Sequence, residues 1–151
     1  MKVKTKFHDE IEVGADEIIY FSHGLPGFET DQEYIYLHSE DSVFGCLQSC
    51  QQTETAFIVV SPFVVCPDYD FQLPEAKQEK LGLTKLEEVL VLAIVTIPPG
   101  KPEEATVNLQ APIVINTKAK KGAQLILCES GYPLRCKLWA QPTAESVAAT
   151  K

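Results

Sequence analysis

The residues of this chain best suited to chemistry are its three histidines and five cysteines. Cys46 and Cys50 lie downstream of His38, an order that allows a Cys–His pair in which the imidazole takes the thiol proton. The competing reading is that these are small half-buried thiols on or beside a strand, where free Cys packs as a small hydrophobe. The other cysteines are Cys66, Cys128 and Cys136, and no Cys-x-x-Cys spacing occurs. An odd set without an export signal predicts free thiols in a reducing cytoplasm. The ligand spacing of a zinc site is absent, and no metal or other cofactor is expected. Ser22-His23 is a dipeptide rather than a catalytic geometry, and no glycine-rich phosphate motif occurs. Asp9-Glu10 and Asp68-x-Asp70 could pair carboxylates, although acids of this kind commonly stand in solvated loops.

Charge distribution narrows the partners. The chain carries a net charge of −8, with fourteen acids against three bases in residues 1–75 (a balance of −11) and seven acids against ten bases in residues 76–151 (+3). No Lys or Arg occurs from Phe7 to Ala76. Such a surface repels phosphate backbones, so no direct nucleic-acid binding is expected. It either keeps the protein soluble or attracts a basic partner and speeds the encounter. The N-terminal Met-Lys-Val-Lys-Thr-Lys-Phe alternates like a strand and has no apolar h-region, so no signal peptide is predicted. No apolar run reaches membrane length.

The elements that must position these side chains are mostly short strands. Val107, Leu109, Ala111, Ile113 and Ile115 alternate with Thr106, Asn108, Gln110, Pro112 and Val114, which predicts one half-buried strand with its odd residues on a core. Pro112 requires an edge or a bulge there. Lys118 to Gly122 reads as a turn and Gln124 to Cys128 as the returning strand. Val89 to Ile97 is apolar on both faces and predicts a central strand covered on both sides. Val3 to Phe7, Ile11 to Val13, Ile18 to Phe21, Tyr34 to His38, Gly45 to Ser49, Ala56 to Val60 and Arg135 to Trp139 supply further strands. Pro26-Gly27 fits the centre of a type II turn.

Ser61 to Asp70 reads as an extended connector. Pro74 with Glu75, then Lys77, Lys80 and Gly82, predicts a short helix with its stop. Thr84-Lys85-Leu86-Glu87 has capping-box spacing. Pro98 to Pro102 is a loop within the domain. The count is about ten short strands, and closure into a barrel removes their exposed edges. The expected fold is mainly β: a small antiparallel β-barrel-like single domain over residues 1–140, with one or two short helices inserted after residue 70. Residues 141–151 form a polar tail.

Taken in order, several segments resemble the flagellar assembly factor FliW family. They are Phe21 to Glu29 with its Gly-Leu-Pro-Gly-Phe-Glu, Leu47-Gln48-Ser49, Ala56-Phe57, Pro67-Asp68-Tyr69, Thr106 to Asn116, and Gln124 to Leu127. The resemblance runs from about Thr5 to Trp139. Each motif alone is weak, but the joint order and spacing are specific. The resemblance implies a non-enzymatic cytoplasmic regulator that binds the translational repressor CsrA, acting allosterically, and also binds flagellin. Flagellin export then releases the factor to capture CsrA and free flagellin mRNA for translation. The acidic half agrees independently with a basic, RNA-binding partner. Candidate partner-binding residues are Phe28, Glu29, Asp31, Glu33, Gln48, Tyr69 and Asn108.

Each candidate also has a structural reading. Phe28 could fill the core beneath a tight turn. Asn108 could cap neighbouring backbone. Tyr69 is either a core plug or an interface anchor. Glu29, Asp31 and Glu33 form the densest acidic cluster beside a motif, and could simply be a solvated face. The alternative function is a small cytoplasmic thiol- or His-dependent enzyme on a β-barrel.

Overall fold

Alternating apolar residues on seven strands close around one core, as a computed structural model of the chain shows; residues 2–7, 9–38, 41–127 and 131–138 are described. The strands are β1 (Lys2–Val3), β2 (Ile11–Glu12), β3 (Ile18–Phe21), β4 (Glu33–His38), β5 (Phe44–Ser49), β6 (Ala56–Val60), β7 (Val89–Thr96), β8 (Thr106–Val107), β9 (Ile113–Asn116), β10 (Lys121–Gln124) and β11 (Cys136–Lys137). Two helices, α1 (Pro62–Val65) and α2 (Glu75–Leu81), fall between β6 and β7.

The ring runs β7-β6-β5-β4-β3-β10-β9 and returns to β7. β7 closes it because its two edges serve different partners. Ala93, Ile94 and Val95 pair with β6, while Val89 to Leu92 pair with β9. All ring pairings are antiparallel except β10 with β3, where Lys121 lies opposite Tyr20 and Gly122 opposite Phe21. The mainly β, barrel-like fold expected from the sequence is therefore the fold observed, with one parallel seam.

Every second residue of the ring points inward. Ile19 and Phe21, Tyr34, Leu47, Val59, Leu92, Ile113 and Ile115 make the barrel core, with Tyr36, Phe57, Leu90 and Ile94 packed against it. The outward residues are apolar too, because three separate covers bury them. The β1–β2 hairpin places Val3 and Val13 on Ile35. Tyr69, Ala105, Val107 and Leu109 cover Val60, Ala93 and Val95. Leu81 at the end of helix α2 and Leu125 just after β10 pack onto Val114. Burial on both faces is why β7 and β9 read as continuous apolar runs.

Four local expectations are corrected. The single strand predicted from Thr106 to Asn116 is two strands, broken where Asn108 Oδ1 accepts the Gln110 and Ala111 N–H groups at 3.0 and 3.1 Å. The return strand starts earlier than Gln124, at Lys121, since Asn116 Oδ1 takes the Lys118 and Ala119 N–H groups and turns the chain sooner. The Ser61–Asp70 connector contains the helical turn α1, so one helix precedes residue 70. Thr84 bonds Glu88, not Glu87. Helix α2 ends as expected, with the Leu83 N–H returning to the Gln78 carbonyl at 2.9 Å. The predicted 141–151 tail, Cys128 and Trp139 lie outside the described residues.

Candidate functional site

The strand registers set two ends of the barrel. Tyr20 pairs with Glu33 and Tyr34 with Ser49, so the 22–32 loop and the 50–55 loop share one end. The β4–β5 connection lies at the other. β4 has six residues, so the two ends are roughly 17 Å apart along it.

At the first end, Pro26-Gly27 forms the expected turn. The Phe28 N–H donates to the Leu25 carbonyl at 2.7 Å, and Gly27 has φ +88°. Leu25, at 1% exposure, takes the buried position, while Phe28 stays 39% exposed and meets Phe57 edge-on at 5.1 Å. The reading that placed Phe28 in the core is thus corrected: the turn inverts the chain and offers the core Leu25 instead. Glu29 is exposed, and its Oε2 accepts the Gly27 N–H at 3.0 Å. That bond and its own backbone N–H hold the Glu29 carboxyl below its ordinary range. Glu33 is exposed at the start of β4.

Asp31 departs from the acidic cluster, since it is only 5% exposed. Its charge is felt by Tyr34, whose wholly buried hydroxyl has no hydrogen-bond partner among the described residues. Burial first, and Asp31 second, push the Tyr34 hydroxyl well above its usual value.

Gln48 and Tyr69 are committed inward, while Asn108 is half-buried. Gln48 is 0% exposed. Its Nε2 donates to the carbonyls of Ser49 (3.1 Å) and Thr53 (3.0 Å), with longer contacts to Gln52 and Thr55, and its Oε1 accepts the Lys6 N–H at 2.9 Å. One side chain thus ties the N-terminal segment to the β5–β6 loop. Tyr69 is 3% exposed, donates to the Leu109 carbonyl at 2.7 Å, and packs among Phe63, Phe71 and Tyr132. Asn108 caps the break between β8 and β9. Gln48 and Tyr69, being buried, can reach a partner only through the segments they hold.

The thiols are poorly placed for nucleophilic work. Leu37 lies opposite Cys46 and Gly45 opposite His38, so Cys46 and His38 project from opposite faces of the β4–β5 pair. His38 stacks on Tyr36 instead, with ring centroids 5.5 Å apart. Burial raises the Cys46 and Cys136 thiols, and burial with the Glu33 charge raises Cys50 to about 11. His8 lies outside the described residues. Asp68 and Asp70 are exposed, and neither bonds the other among the described residues.

Sequence reasoning missed one large feature. On the outer face, between the β1–β2 cover and the Tyr69 cover, a groove of about 660 Å³ remains open. Leu37, Phe44, Cys46 and Ile58 form its floor, while Phe7 and Ile97, 48% and 41% exposed, stand at its sides. Its size falls in the range of ordinary ligand clefts. Outward-facing Leu37, Cys46 and Ile58, apolar residues for which the sequence predicted no cover, were its trace in the sequence.

The closed seven-strand barrel with two short helices places the chain among small β-barrel proteins. Comparison with known proteins makes this specific. The model of the family described as FliW protein matches residues 2–138. The flagellar assembly factor FliW of Bacillus licheniformis is 46% identical over 133 residues, covering 87% of this chain and 92% of that protein. That of Caldicellulosiruptor bescii is 39% identical over 137 residues, covering 91% and 90%. A crystal structure of the flagellar assembly factor FliW superposes with a TM-score of 0.88 at 31% identity, over 95% of this chain and 100% of that one. The chain belongs to the FliW family. Among the described residues no helix is long and apolar enough to cross a membrane.

Proposed function

We propose that this protein is a cytoplasmic regulator of flagellum assembly that binds the translational repressor CsrA and flagellin in exchange. Bound to CsrA, it relieves repression of flagellin mRNA without contacting RNA. Family membership and the residue motifs support the choice of partners. The observation that carries a protein-binding role is the apolar groove, with about 660 Å³ open in a chain of net charge −8. An apolar segment flanked by basic residues fits it: the groove offers area to bury, and the chain's net charge of −8 favours a cationic partner over an anionic one. The exposed Phe28, Glu29 and Glu33 add a second contact region at the other end of the barrel.

The two regions are separable kinetically. Charges at a rim act mainly on association, whereas buried apolar contacts act mainly on dissociation. Stopped-flow mixing with purified CsrA and with purified flagellin tests the reading. Glu29→Lys with Glu33→Lys is expected to slow CsrA association and flatten its salt dependence. Asp31 is left intact because a lysine there would be buried. Ile97→Asp is expected to speed dissociation at least tenfold for the partner that uses the groove. Failure of the parent protein to bind either partner would overturn the reading. Unchanged dissociation of both partners would remove the groove from it.

A further inference from the structure

We propose a second binding site, of opposite charge, for an acidic peptide segment in the cleft between α2 and the Gly24–Glu29 turn. Two adjoining cavities of about 160 and 280 Å³ share Ser22, His23, Lys77, Gly122 and Ala123 as walls, so together they form one elongated cleft. Lys80 and Lys121 line the first cavity and Glu29 the second. Three lysines and one glutamate therefore line a single cleft of a protein whose net charge is −8.

The local fold explains how the lysines converge. Lys77 and Lys80 are three residues apart on α2, so they project from one face about one turn from each other. Lys121 comes from β10, the strand on which α2 rests, directly beside Tyr20 in the parallel seam. Among the described residues none of the three lysines makes an ion pair; the one lysine that does, Lys118, pairs with Glu88 at 3.9 Å and lies outside the cleft. The Glu29 carboxylate at the far cavity is held by the Gly27 N–H and does not neutralise them.

The shape selects the ligand. Ala123 leaves its part of the wall without a bulky side chain, while the Cβ position of Gly122 faces Phe21 in the barrel core. Tyr20, 45% exposed, offers a flat apolar side. Carboxylates on alternate residues of an extended chain stand apart at roughly 7 Å, and each can be met by a separate, single-point ammonium donor. A compact phosphate would instead call for donors converging on one point. This site stands on the lysines and the cleft alone, and is independent of the reading of the apolar groove.

The test is a titration of the full chain followed by nuclear magnetic resonance at low and moderate salt. The probe is a blocked Glu-Gly-Glu-Gly-Glu peptide, with the matching Gln peptide and inorganic phosphate as comparison arms. The Glu peptide is expected to shift Tyr20, Ser22 and Ala123 and to weaken as salt rises. The triple variant Lys77→Gln, Lys80→Gln, Lys121→Gln should weaken it at least tenfold, and Lys101→Gln on the remote 98–101 loop should change nothing. Equal affinity for the Gln peptide, or an unaltered affinity in the triple variant, overturns the proposal. Phosphate shifting the same residues while the peptide does not would replace it with a small-oxyanion site. Concentration-dependent dimerisation lost in the triple variant would replace the peptide with a second copy of the chain.

Discussion

Replacing Gln48 with leucine removes the most heavily used side chain of the barrel while keeping its bulk. Gln48 is fully buried and bridges three segments: Lys6 in the N-terminal stretch, Ser49 on its own strand, and Thr53 in the β5–β6 loop. Its three bonds of 3.1 Å or less are the ones to count, since the two longer contacts share the same amide nitrogen. At about 1 kcal/mol net for each, Gln48→Leu should cost about 3 kcal/mol. For a domain of this size that lowers the melting temperature by roughly 6–12 °C, at about 2–4 °C per kcal/mol. Thermal unfolding followed by circular dichroism measures the shift. Hydrogen exchange at the Lys6 amide gives an independent reading, because that amide loses its acceptor and the N-terminal segment its tie. Gln48→Glu sharpens the test: a carboxylate would face carbonyl oxygens where the amide donated. The folded state then favours the protonated acid, its pKa rises, and the stability it supplies is lost as pH increases through that raised value. Gln48→Glu should therefore recover stability toward pH 4. A melting temperature within a degree of the parent for Gln48→Leu, with unchanged exchange at Lys6, would refute this account of the residue.

Two further predictions concern the turn and the tyrosine plug. Gly27 has φ +88° and open space where a Cβ would stand, so Gly27→Val should show strain alone, about 1–3 kcal/mol. Gly24→Ala should cost more than Gly27→Ala, because its Cβ would come within 2.7 Å of the Glu29 Cα and the Phe28 carbonyl oxygen; urea denaturation compares them. The Tyr69 hydroxyl is raised from 10.0 to about 12, chiefly by burial and then by Tyr132 and Cys66. The folded state holds this proton more tightly than the unfolded one, so stability is fully present below pH 10 and is lost as pH climbs toward about 12. Tyr69→Phe should flatten that alkaline loss, as read by melting curves between pH 9 and pH 11.

Strand identity was legible wherever period-two alternation ran without interruption. β3 and β6 occupy the residues their patterns predicted, and β7 stops one residue short of Ile97. The 106–116 stretch misled for a physical reason. Leu109 and Ala111 keep the odd-residue burial of a strand, yet the Asx turn at Asn108 takes the backbone out of the ladder. Asn108 and Asn116 each accept from residues two and three ahead, a local signal that polar residues on a strand face conceal. Acidic clustering pointed to Glu29 and Glu33 correctly as surface, but could not register the loop bend that carries Asp31 inward. Gln48 and Tyr69 are tied into the fold by internal hydrogen bonds between distant segments, which the motifs that contain them do not reveal. The groove draws its walls from five separated segments, a convergence that no window of sequence contains.

The measurement that bears most directly on the central claim is a gel-shift titration of labelled flagellin-leader RNA with CsrA at increasing concentrations of this protein, repeated with purified flagellin. An allosteric antagonist lowers RNA affinity to a plateau, typically about 5–150-fold, because coupling between two sites is finite and reciprocal. Flagellin should restore the shift by withdrawing free antagonist. The account predicts that plateau, its reversal by flagellin, and no shift of RNA by this protein alone. An RNA shift by the protein alone, or RNA binding by CsrA that is indifferent to its addition, would contradict it.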